Sequence, residues 1–483
     1  MLRAVVFVLL AFLAVMVHAQ SLELEDCRIS AGPAYPGIKA RCGSMARPQD
    51  PSDPGSPEIT LRVAVVPALN LSPAEDPVVP LAGGPGQGVV QFYSAYAAAF
   101  EPARRNRDIL LVDQRGTGDS ARMDCPFDDE ILEGEYSVEE TVRYIEDCLE
   151  QLPHDPAYFT TSVAVTDLEA VREALGYSAL NLYGVSYGSR VAQHFARRYP
   201  DSTRTIVLDG VVPPQKALGP EIATESQKAV DNILARCAAD PQCNERFPGI
   251  ESSFGELVER LRDEPVLVSV PHPNTGRIEE LNFGLPEFAG AIRLLAYHPN
   301  SIALLPLLVH EAVNGNYVPL ASQYQMTVLS LAEAIALGMH NAVMCNEDTP
   351  FYDKTTIDYA GLEASYMGGL QLEALEAICS VWPAGPVDAE FKVPLATDLP
   401  VLLLSGDADP ITPPAYADQA MVDLGNARHL VGRNQGHGQI AVGCMPRIVA
   451  DFFESADPGA LDTECLDRSF VMPFFLDFSG PSP

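Results

Sequence analysis

A serine between two glycines, at the junction of a predicted strand and a predicted helix, constrains the fold of this chain more than any other feature. The pentapeptide Gly184-Val-Ser-Tyr-Gly188 follows a short apolar run and precedes apolar residues at helical spacing. A strained turn between a strand and a helix has no room for Cβ atoms beside it, and it lifts the serine out as a nucleophile. Because Gly and Ser are common residues, the pentapeptide alone is weak evidence for this role of Ser186. The surrounding motifs decide whether Ser186 is interpreted as a nucleophile.

Two glycine-rich loops precede this turn in the sequence. The apolar run at 78–81 predicts a buried strand that continues into Gly83-Gly-Pro-Gly-Gln-Gly88. Backbone N–H groups of such a loop can bind a developing oxyanion, although an ordinary glycine turn is the alternative. The residue after the nucleophile, Tyr187, would supply a second N–H. Another polar, glycine-rich loop, Asp113–Ser120, follows the apolar run at 109–112. Two such loops before the serine favour a catalytic interpretation.

An acid and a histidine follow in the chain order Ser, acid, His. A strongly apolar predicted strand leads into a loop that contains both Asp407 and Asp409. A carboxylate there can accept the Nδ1–H of a histidine and stabilise the imidazolium, and the residues alone leave the choice between the two aspartates open. Among nine histidines only His437 lies in a glycine-flanked loop. His194 is predicted to pack on the helix after the serine turn, and His429 to be a packed or edge residue within a strand.

Taken in order, these motifs and the tripeptide Gly436-His-Gly438 resemble the proline iminopeptidase/tripeptidyl aminopeptidase family of α/β-hydrolase serine peptidases. The stretch from about Trp382 to Cys465 resembles the carboxyl-terminal segment of secreted tripeptidyl aminopeptidases. The resemblance implies an α/β-hydrolase fold, which is a mostly parallel twisted sheet flanked by helices, with an inserted helical cap. One departure is Ala82, because the family's glycine motif often opens with His. A backbone donor survives this change.

The family's functional residues carry over by position. The resemblance implies a Ser-His-Asp triad that works through an acyl-enzyme, with Ser186 as nucleophile, His437 as base and Asp409 as acid. It implies Gly84 and Tyr187 as the N–H donors of the oxyanion hole. It also implies an exopeptidase of the tripeptidyl- or prolyl-aminopeptidase type, whose partners are peptide substrates with a free N-terminus.

The first residues predict a signal peptide. A charged start with Arg3 is followed by an apolar run at 5–17 and by small residues around Ala19, which is the pattern of an export signal. We therefore expect a signal peptide at 1–19 and a secreted or periplasmic protein. The apolar run is shorter than the about 20 residues of a spanning helix. No cysteine follows the cleavage site at once, so we expect no membrane anchor.

All ten cysteines lie beyond the predicted signal peptide. An even number in an exported chain makes disulfides the default. The repeated C-x-x-C spacing of a zinc site is missing, and we expect no metal. Connectivity does not follow from sequence, but the spacing of neighbours suggests the pairs Cys27–Cys42, Cys125–Cys148, Cys237–Cys243, Cys345–Cys379 and Cys444–Cys465.

The acidic composition limits the possible partners. The formal net charge is −34, which repels nucleic acid and anionic membranes and favours solubility. We therefore expect no nucleic-acid partner. The sequence contains no motif that indicates a cofactor, and it leaves the oligomeric state open.

A long stretch separates two predicted core strands. The strand at 205–209 precedes the next confident core strand, at 401–404, by almost 200 residues, whereas an uninterrupted strand–helix–strand unit needs only about 30. We predict a first part of the core at 20–213, a mostly helical cap at 214–385 and a second part of the core at 386–483. Helical spacing of apolar residues in this cap predicts Thr224–Cys237, Ser253–Arg262, Leu285–Tyr297, Ile302–Val313 and Met326–Gly338 as helices, and Pro271–Glu280 as a hairpin or loop.

Two acidic residues of the predicted cap, Glu347 and Asp348, are candidates for binding the protonated amine of a substrate. Carboxylates are the simplest partners for an ammonium group, but a solvated acidic turn is an equally good interpretation in so acidic a chain. An esterase or lipase with the same triad is the alternative function. A non-catalytic binding protein of the same fold is a minor alternative.

Overall fold

The computed structural model describes residues 22–32, 35–125, 137–468 and 470–481. The signal peptide predicted at 1–19 lies outside these residues. Within them, no helix is long and apolar enough to cross a membrane.

The described residues form strands and helices in alternation, followed by a long helical stretch and a second alternating part. The strands are β1 (Glu25–Ile29), β2 (Ile38–Pro48), β3 (Glu58–Val66), β4 (Val78–Leu81), β5 (Ile109–Val112), β6 (Leu180–Val185), β7 (Thr203–Asp209), β8 (Val266–Pro271), β9 (Ile278–Phe283), β10 (Val401–Gly406) and β11 (Ala427–Gly432). The helices are α1 (Val89–Arg104), α2 (Val138–Gln151), α3 (Thr161–Leu175), α4 (Tyr187–Arg198), α5 (Ile222–Ala239), α6 (Pro241–Arg246), α7 (Ile250–Asp263), α8 (Leu285–Leu295), α9 (Pro299–Ile302), α10 (Leu305–Val313), α11 (Val318–Ala334), α12 (Leu337–Val343), α13 (Tyr359–Ala364), α14 (Leu370–Val381), α15 (Pro414–Met421) and α16 (Met445–Ser455).

Nine strands make one sheet in the order β1-β2-β3-β5-β4-β6-β7-β10-β11. The strands from β5 to β11 in this order pair in parallel. The strands β1, β2 and β3 pair antiparallel, and β3 joins β5 antiparallel. The prediction of a mostly parallel sheet is confirmed, and the antiparallel ribbon at its edge is an addition that the sequence did not predict.

Apolar side chains of the sheet alternate between its two faces. In β7, Ile206 and Leu208 pack in one cluster with side chains of α3 and α4, whereas Val207 packs in another with side chains of α1 and α16. This alternation follows from the two-residue period of a strand. Because both faces are covered by helices, the parallel strands are continuous apolar runs, such as the Ile-Leu-Leu-Val of β5.

The elements between β7 and β10 bury a separate apolar cluster. Phe254 of α7 and Phe288 of α8 contact each other in it with ring centroids 5.5 Å apart. Helices dominate this stretch, and β8 and β9 form an antiparallel hairpin within it. We keep the division into a core and a cap at 214–385 as a proposal.

Two predicted helices of this stretch differ in the structure, and the one predicted over 302–313 is interrupted by a turn at 303–304 between α9 and α10. The sequence predicts a single helix over 326–338, where the structure has the end of α11 and the start of α12. Between them Ile335 is extended and pairs with Gln87, and Ala336 donates its N–H to the Gly86 carbonyl at 3.0 Å. The contact with the glycine-rich loop therefore ends the helix.

All ten cysteines are paired in the structure. The bridges join Cys27 to Cys42, Cys125 to Cys148, Cys237 to Cys243, Cys345 to Cys379, and Cys444 to Cys465. These are the pairs that the spacing of neighbours suggests. The first ties β1 to β2, and the fourth ties the segment after α12 to α14.

Candidate active site

The turn around Ser186 joins β6 to α4 at the edge of the sheet where the parallel strands end. The backbone of Ser186 has a φ of 55° and a ψ of −125°, which is a strained conformation for a residue with a side chain. A Cβ atom on Gly184 would lie 2.2 Å from the carbonyl oxygen of Gly188, and one on Gly188 would lie 2.1 Å from that of Leu81. Both glycines are therefore required by close backbone contacts.

The glycine-rich loop after β4 lies against this serine. A Cβ atom on Gly83 would be 3.0 Å from the Ser186 Cβ and 3.5 Å from its Oγ. The neighbouring Gly84 has a φ of 108°. Among the described residues, neither the N–H of Gly84 nor that of Tyr187 has a hydrogen-bond acceptor. Two free N–H groups beside a serine are what an oxyanion hole requires.

His437 and Asp409 form a hydrogen-bonded pair on the loops after β11 and β10. The His437 Nδ1 lies 2.7 Å from the Asp409 Oδ2. Asp409 also accepts hydrogen bonds from the N–H groups of Ile411 and Thr412 and from the Thr412 hydroxyl. Asp407 is exposed and accepts from the Asn434 N–H instead. Of the two aspartates that the sequence leaves open, the structure brings Asp409 to the histidine.

Asp409 and His437 each stabilise the charged form of the other. Burial favours the neutral form of Asp409, but the charge and hydrogen bond of His437 and the surrounding N–H donors hold its pKa below the usual value. Burial likewise disfavours the charged form of His437, but Asp409 outweighs this effect and raises its pKa. The imidazolium is thus stabilised at the moment when it forms.

Asp209, which sequence reasoning missed, connects the serine turn to the histidine loop. Its carbonyl accepts the Ser186 N–H at 2.8 Å, while its carboxylate accepts the N–H groups of Gln439 and Ile440 and the hydroxyl of Tyr183. Burial raises the pKa of Asp209 to about 6, although these donors and His437 oppose the shift. An aspartate at the end of an apolar strand was the available signal in the sequence.

The elements inserted between β7 and β10 reach the site on two sides. The Tyr297 carbonyl accepts the backbone N–H of His437 at 2.7 Å, and the two rings pack edge to face with centroids 5.1 Å apart. Ile335 lies over the glycine-rich loop, because a Cβ atom on Gly84 would be 3.0 Å from its Cδ1. The insertion therefore contacts both His437 and the glycine-rich loop.

Glu347 is fully buried and its carboxylate is used within the protein. It accepts the Thr161 N–H at 2.6 Å and the Thr161 hydroxyl at 2.8 Å. The Thr161 hydroxyl oxygen also lies 2.5 Å from the hydroxyl of Tyr187, which Gln114 contacts in turn. Burial raises the pKa of Glu347 to about 7. Since Thr160, the residue before α3, makes no side-chain cap, Glu347 acts as the acceptor at this helix N-terminus.

Asp348 is also fully buried, and both of its oxygens are paired. Its Oδ2 lies 2.9 Å from a nitrogen of Arg190, and its Oδ1 lies 3.0 Å from the Lys392 ammonium and accepts the Leu218 N–H. Neither Glu347 nor Asp348 presents a free carboxylate oxygen to a substrate. This arrangement gives no support to the expectation that these residues bind an amine, and we do not carry it forward.

Other candidate groups have structural roles. His194 is buried on α4 beside Asp388, and His429 in β11 contacts Asp418 and Ser405, as expected for packed histidines. In the described part of the chain, no group of three or more His, Cys, Asp or Glu side chains could hold a metal ion.

Two family models match this chain. The model of the α/β-hydrolase fold matches residues 76–243, and the model described as TAP-like protein matches residues 364–465. Together they cover more than half of the chain, including Ser186, Asp409 and His437. The chain belongs to the α/β hydrolases. The carboxyl-terminal part of this hydrolase is of the TAP-like type.

Curated relatives of the hydrolase are named as peptidases or as a hydrolase. Serine protease Hip1 of Mycobacterium tuberculosis is 26% identical over 84% of this chain and 82% of its own length. The tripeptidyl aminopeptidase of Streptomyces coelicolor is 27% identical over 40% of this chain and 39% of its own. The putative hydrolase YuaR of Escherichia coli is 27% identical over 54% of this chain, and the match spans only 56% of that relative. With the Ser186 turn, these likenesses make the chain a serine hydrolase.

The pH dependence of the hydrolase should report His437, because a histidine that acts as a general base must be neutral. Since its pKa is raised above 6.5, we expect kcat/KM to fall as the pH drops through that higher value. Asp209 also raises this pKa through its charge, after Asp409. In Asp209→Asn the acidic limb should therefore move to lower pH. Rate profiles from pH 4 to 9 measure this, and Asp407→Asn is the matched control. If the acidic limb of Asp209→Asn keeps its pH or moves to higher pH, the assignment of this limb to a His437 whose pKa Asp209 raises is wrong.

Proposed function

We propose that the chain is a serine exopeptidase that hydrolyses peptide bonds near a free N-terminus, of the tripeptidyl- or prolyl-aminopeptidase type. The observation that carries the proposal is the 2.7 Å contact between His437 Nδ1 and Asp409 Oδ2. Asp209 links the His437 loop to the strained Ser186 turn. Ser186 acts as nucleophile, His437 as base and Asp409 as the acid that orients the imidazole.

In the proposed reaction, His437 takes the proton of the Ser186 hydroxyl as its Oγ forms a bond to the carbonyl carbon of the substrate. The N–H groups of Gly84 and Tyr187 bind the resulting oxyanion. The C–N bond then breaks, and His437 gives its proton to the leaving amine, which leaves an acyl-enzyme. His437 takes a proton from a water molecule whose oxygen bonds to the acyl carbon; the bond to the Ser186 Oγ then breaks, and His437 gives the proton to this oxygen, which releases the carboxylic acid and restores the serine.

Three observations favour a peptidase over an esterase with the same triad. The carboxyl-terminal part matches a TAP-like model. A relative that spans most of the chain is named a serine protease, and another is named a tripeptidyl aminopeptidase. The preference for a free N-terminus rests on these likenesses, because the amine has no assigned carboxylate. Five disulfides and the predicted signal peptide support a secreted or periplasmic location.

The test is a panel of tripeptidyl, dipeptidyl and aminoacyl p-nitroanilides, each with a free and an acetylated N-terminus, beside p-nitrophenyl esters of short and medium acids. Losing a desolvated charge pair costs about 2–5 kcal/mol, or roughly 30- to 4000-fold in kcat/KM. We expect free amides to exceed acetylated amides by that factor. The Ser186→Ala variant gives the background rate of hydrolysis for each substrate. Equal rates for free and acetylated amides contradict the exopeptidase, and turnover of esters alone contradicts the peptidase.

A further inference from the structure

Four polar side chains form a hydrogen-bonded chain that includes the residue after the nucleophile. The Gln114 amide nitrogen donates to the Tyr187 hydroxyl at 2.9 Å, and this hydroxyl lies 2.5 Å from the Thr161 hydroxyl oxygen. Thr161 donates its hydroxyl to Glu347 Oε2 at 2.8 Å and its backbone N–H to Glu347 Oε1 at 2.6 Å. Tyr187, Thr161 and Glu347 are all buried. The low dielectric of the interior strengthens each of these hydrogen bonds.

The two ends of this chain fix the direction of donation. The amide nitrogen of Gln114 can only donate, and the ionised carboxylate of Glu347 can only accept. Because the Thr161 hydroxyl gives its proton to Glu347, its oxygen is the acceptor for the Tyr187 hydroxyl. Burial, and then the charge of Glu347, raise the pKa of Tyr187 above its usual value, so the phenol keeps the proton that it donates. All the hydrogen bonds therefore run towards Glu347.

The Ser186 turn needs support because its backbone is strained. A residue with a side chain keeps a φ of 55° only where the surrounding groups fix it. The carbonyl of Ser186 accepts from the N–H and the hydroxyl of Ser189, which holds one side of the peptide group that carries the Tyr187 N–H. The other side of this peptide group is the Cα of Tyr187. The hydrogen-bonded chain holds that Cα through the ring and hydroxyl of Tyr187.

The segment that carries Glu347 contacts the first turn of α4 a second time. Tyr187 and Arg190 are three residues apart, so their side chains lie on the same side of the helix. Arg190 forms an ion pair at 2.9 Å with Asp348, the residue after Glu347. Residues Met344–Asp348 form a short π-helical turn, and such turns are frequent at functional sites. Two successive acids of this turn therefore hold the start of the helix that follows the nucleophile.

A role as the cap of α3 does not by itself account for Glu347. The Thr161 N–H occupies only one of its two oxygens. A cap of this kind is normally supplied by the residue before the helix, without the cost of burying a distant carboxylate. The second oxygen of Glu347 binds the hydroxyl that leads to Tyr187. The connection to Tyr187 thus requires an explanation of its own.

We propose that Glu347 and Thr161 are positioning residues that fix the direction of the Tyr187 N–H in the oxyanion hole, through the Tyr187 hydroxyl. This inference rests on the proposed function, in which that N–H binds the oxyanion. The oxyanion forms only as the Ser186 Oγ bonds to the substrate carbonyl carbon, so the N–H contributes more in the transition state than in substrate binding. A misdirected N–H therefore lowers kcat and leaves KM nearly unchanged.

The first experiment breaks the chain with variants of nearly the same shape. Thr161→Val and Tyr187→Phe each remove a hydroxyl, whereas Thr161→Ser keeps it. Since a misplacement of about 1 Å can cost about 10²-fold in rate, we expect kcat to fall by about 10- to 100-fold in the first two, with KM within about twofold. Thr161→Ser should stay within about threefold of the unaltered enzyme in kcat, because the chain is intact. Steady-state kinetics on a free tripeptidyl p-nitroanilide and on p-nitrophenyl acetate measure both constants.

The second experiment separates positioning through Tyr187 from a general loss of stability. If Thr161 acts through the Tyr187 hydroxyl, Thr161→Val should not lower kcat further in the Tyr187→Phe background, because the connection is already broken. Glu347→Gln should also lower kcat, since its amide nitrogen replaces one of the two acceptors of Thr161. Tyr177→Phe is the matched control. It removes a hydroxyl that contacts Asp108 at 2.9 Å beyond the other end of α3, and it should leave kcat unchanged.

Three results overturn the inference: an unchanged kcat in folded Tyr187→Phe, a rise in KM instead of a fall in kcat, or losses of kcat that multiply in the double variant. Urea unfolding of each variant verifies that it folds. If Thr161→Val does not fold, Tyr187→Phe, Thr161→Ser and Glu347→Gln still decide the outcome. If only esters are cut, the exopeptidase fails, but p-nitrophenyl acetate forms the same oxyanion and still tests the positioning role.

Discussion

Ser186→Ala and His437→Ala should each lower kcat by about 10⁴-fold or more while leaving the protein folded. Ser186 is partly exposed at the tip of a turn whose strain belongs to the backbone, and its hydroxyl has no hydrogen-bond partner among the described residues. Removing this oxygen atom therefore costs little stability. Steady-state kinetics give the kcat of each variant, and an unfolding curve gives its stability.

The double variant Ser186→Ala/His437→Ala should be little worse than either single variant, because a nucleophile and its base act as a unit. Asp409→Asn should lower kcat by about 10⁴-fold, since an amide cannot stabilise the imidazolium and favours the wrong tautomer. Asp407→Asn on the same loop should change little. Full activity of Ser186→Ala would exclude the serine mechanism. If Asp409→Asn keeps full activity and Asp407→Asn loses activity, the acid of the triad is Asp407.

The sequence predicts the parts of the site that depend on local backbone geometry. Gly184 and Gly188 are forced by contacts below 3 Å, and such a requirement leaves a visible glycine pattern. His437 is recognisable for the same reason, because it lies in a glycine-flanked loop at the end of a strand. The choice of Asp409 over Asp407 needed either the resemblance or the structure, since both lie on one loop.

The sequence does not predict the features that depend on distant partners. Asp209 has a role because Gln439 and Ile440, more than 200 residues later, donate to its carboxylate. Glu347 and Asp348 have the appearance of an exposed acidic turn, but Thr161 and Arg190 approach them from the core. Pairing across such separations leaves no periodic pattern. The end of α11 likewise depends on a contact with the glycine-rich loop and not on local propensity.

The buried cluster around Asp348 predicts a strong contrast between two substitutions. Arg190 and Lys392 both contact Asp348, and the Arg190 side chain is only 1% exposed. Asp348→Asn removes the anion that both cations contact. Breaking a buried ion pair by removing one partner costs about 3–5 kcal/mol, and the remaining charges here are of the same sign. Asp348→Asn should therefore greatly lower the urea concentration at the midpoint of unfolding.

Removal of Lys392 should change the free energy of unfolding far less than Asp348→Asn does. Burial and the neighbouring Arg190 lower the pKa of Lys392 to about 8, despite the attraction of Asp348, so the lysine charge is disfavoured where it lies. Lys392→Met replaces the ammonium that lies over the Phe391 ring by an uncharged side chain and leaves a balanced pair of Arg190 and Asp348. We expect a change within about 1 kcal/mol, in either direction. The double variant Asp348→Asn/Lys392→Met should recover part of the stability lost in Asp348→Asn, since one uncompensated cation is then gone. Urea unfolding of the three variants at pH 7 measures the contrast. If Lys392→Met proves as destabilising as Asp348→Asn, or the double variant is worse than both, the cluster is not governed by charge balance.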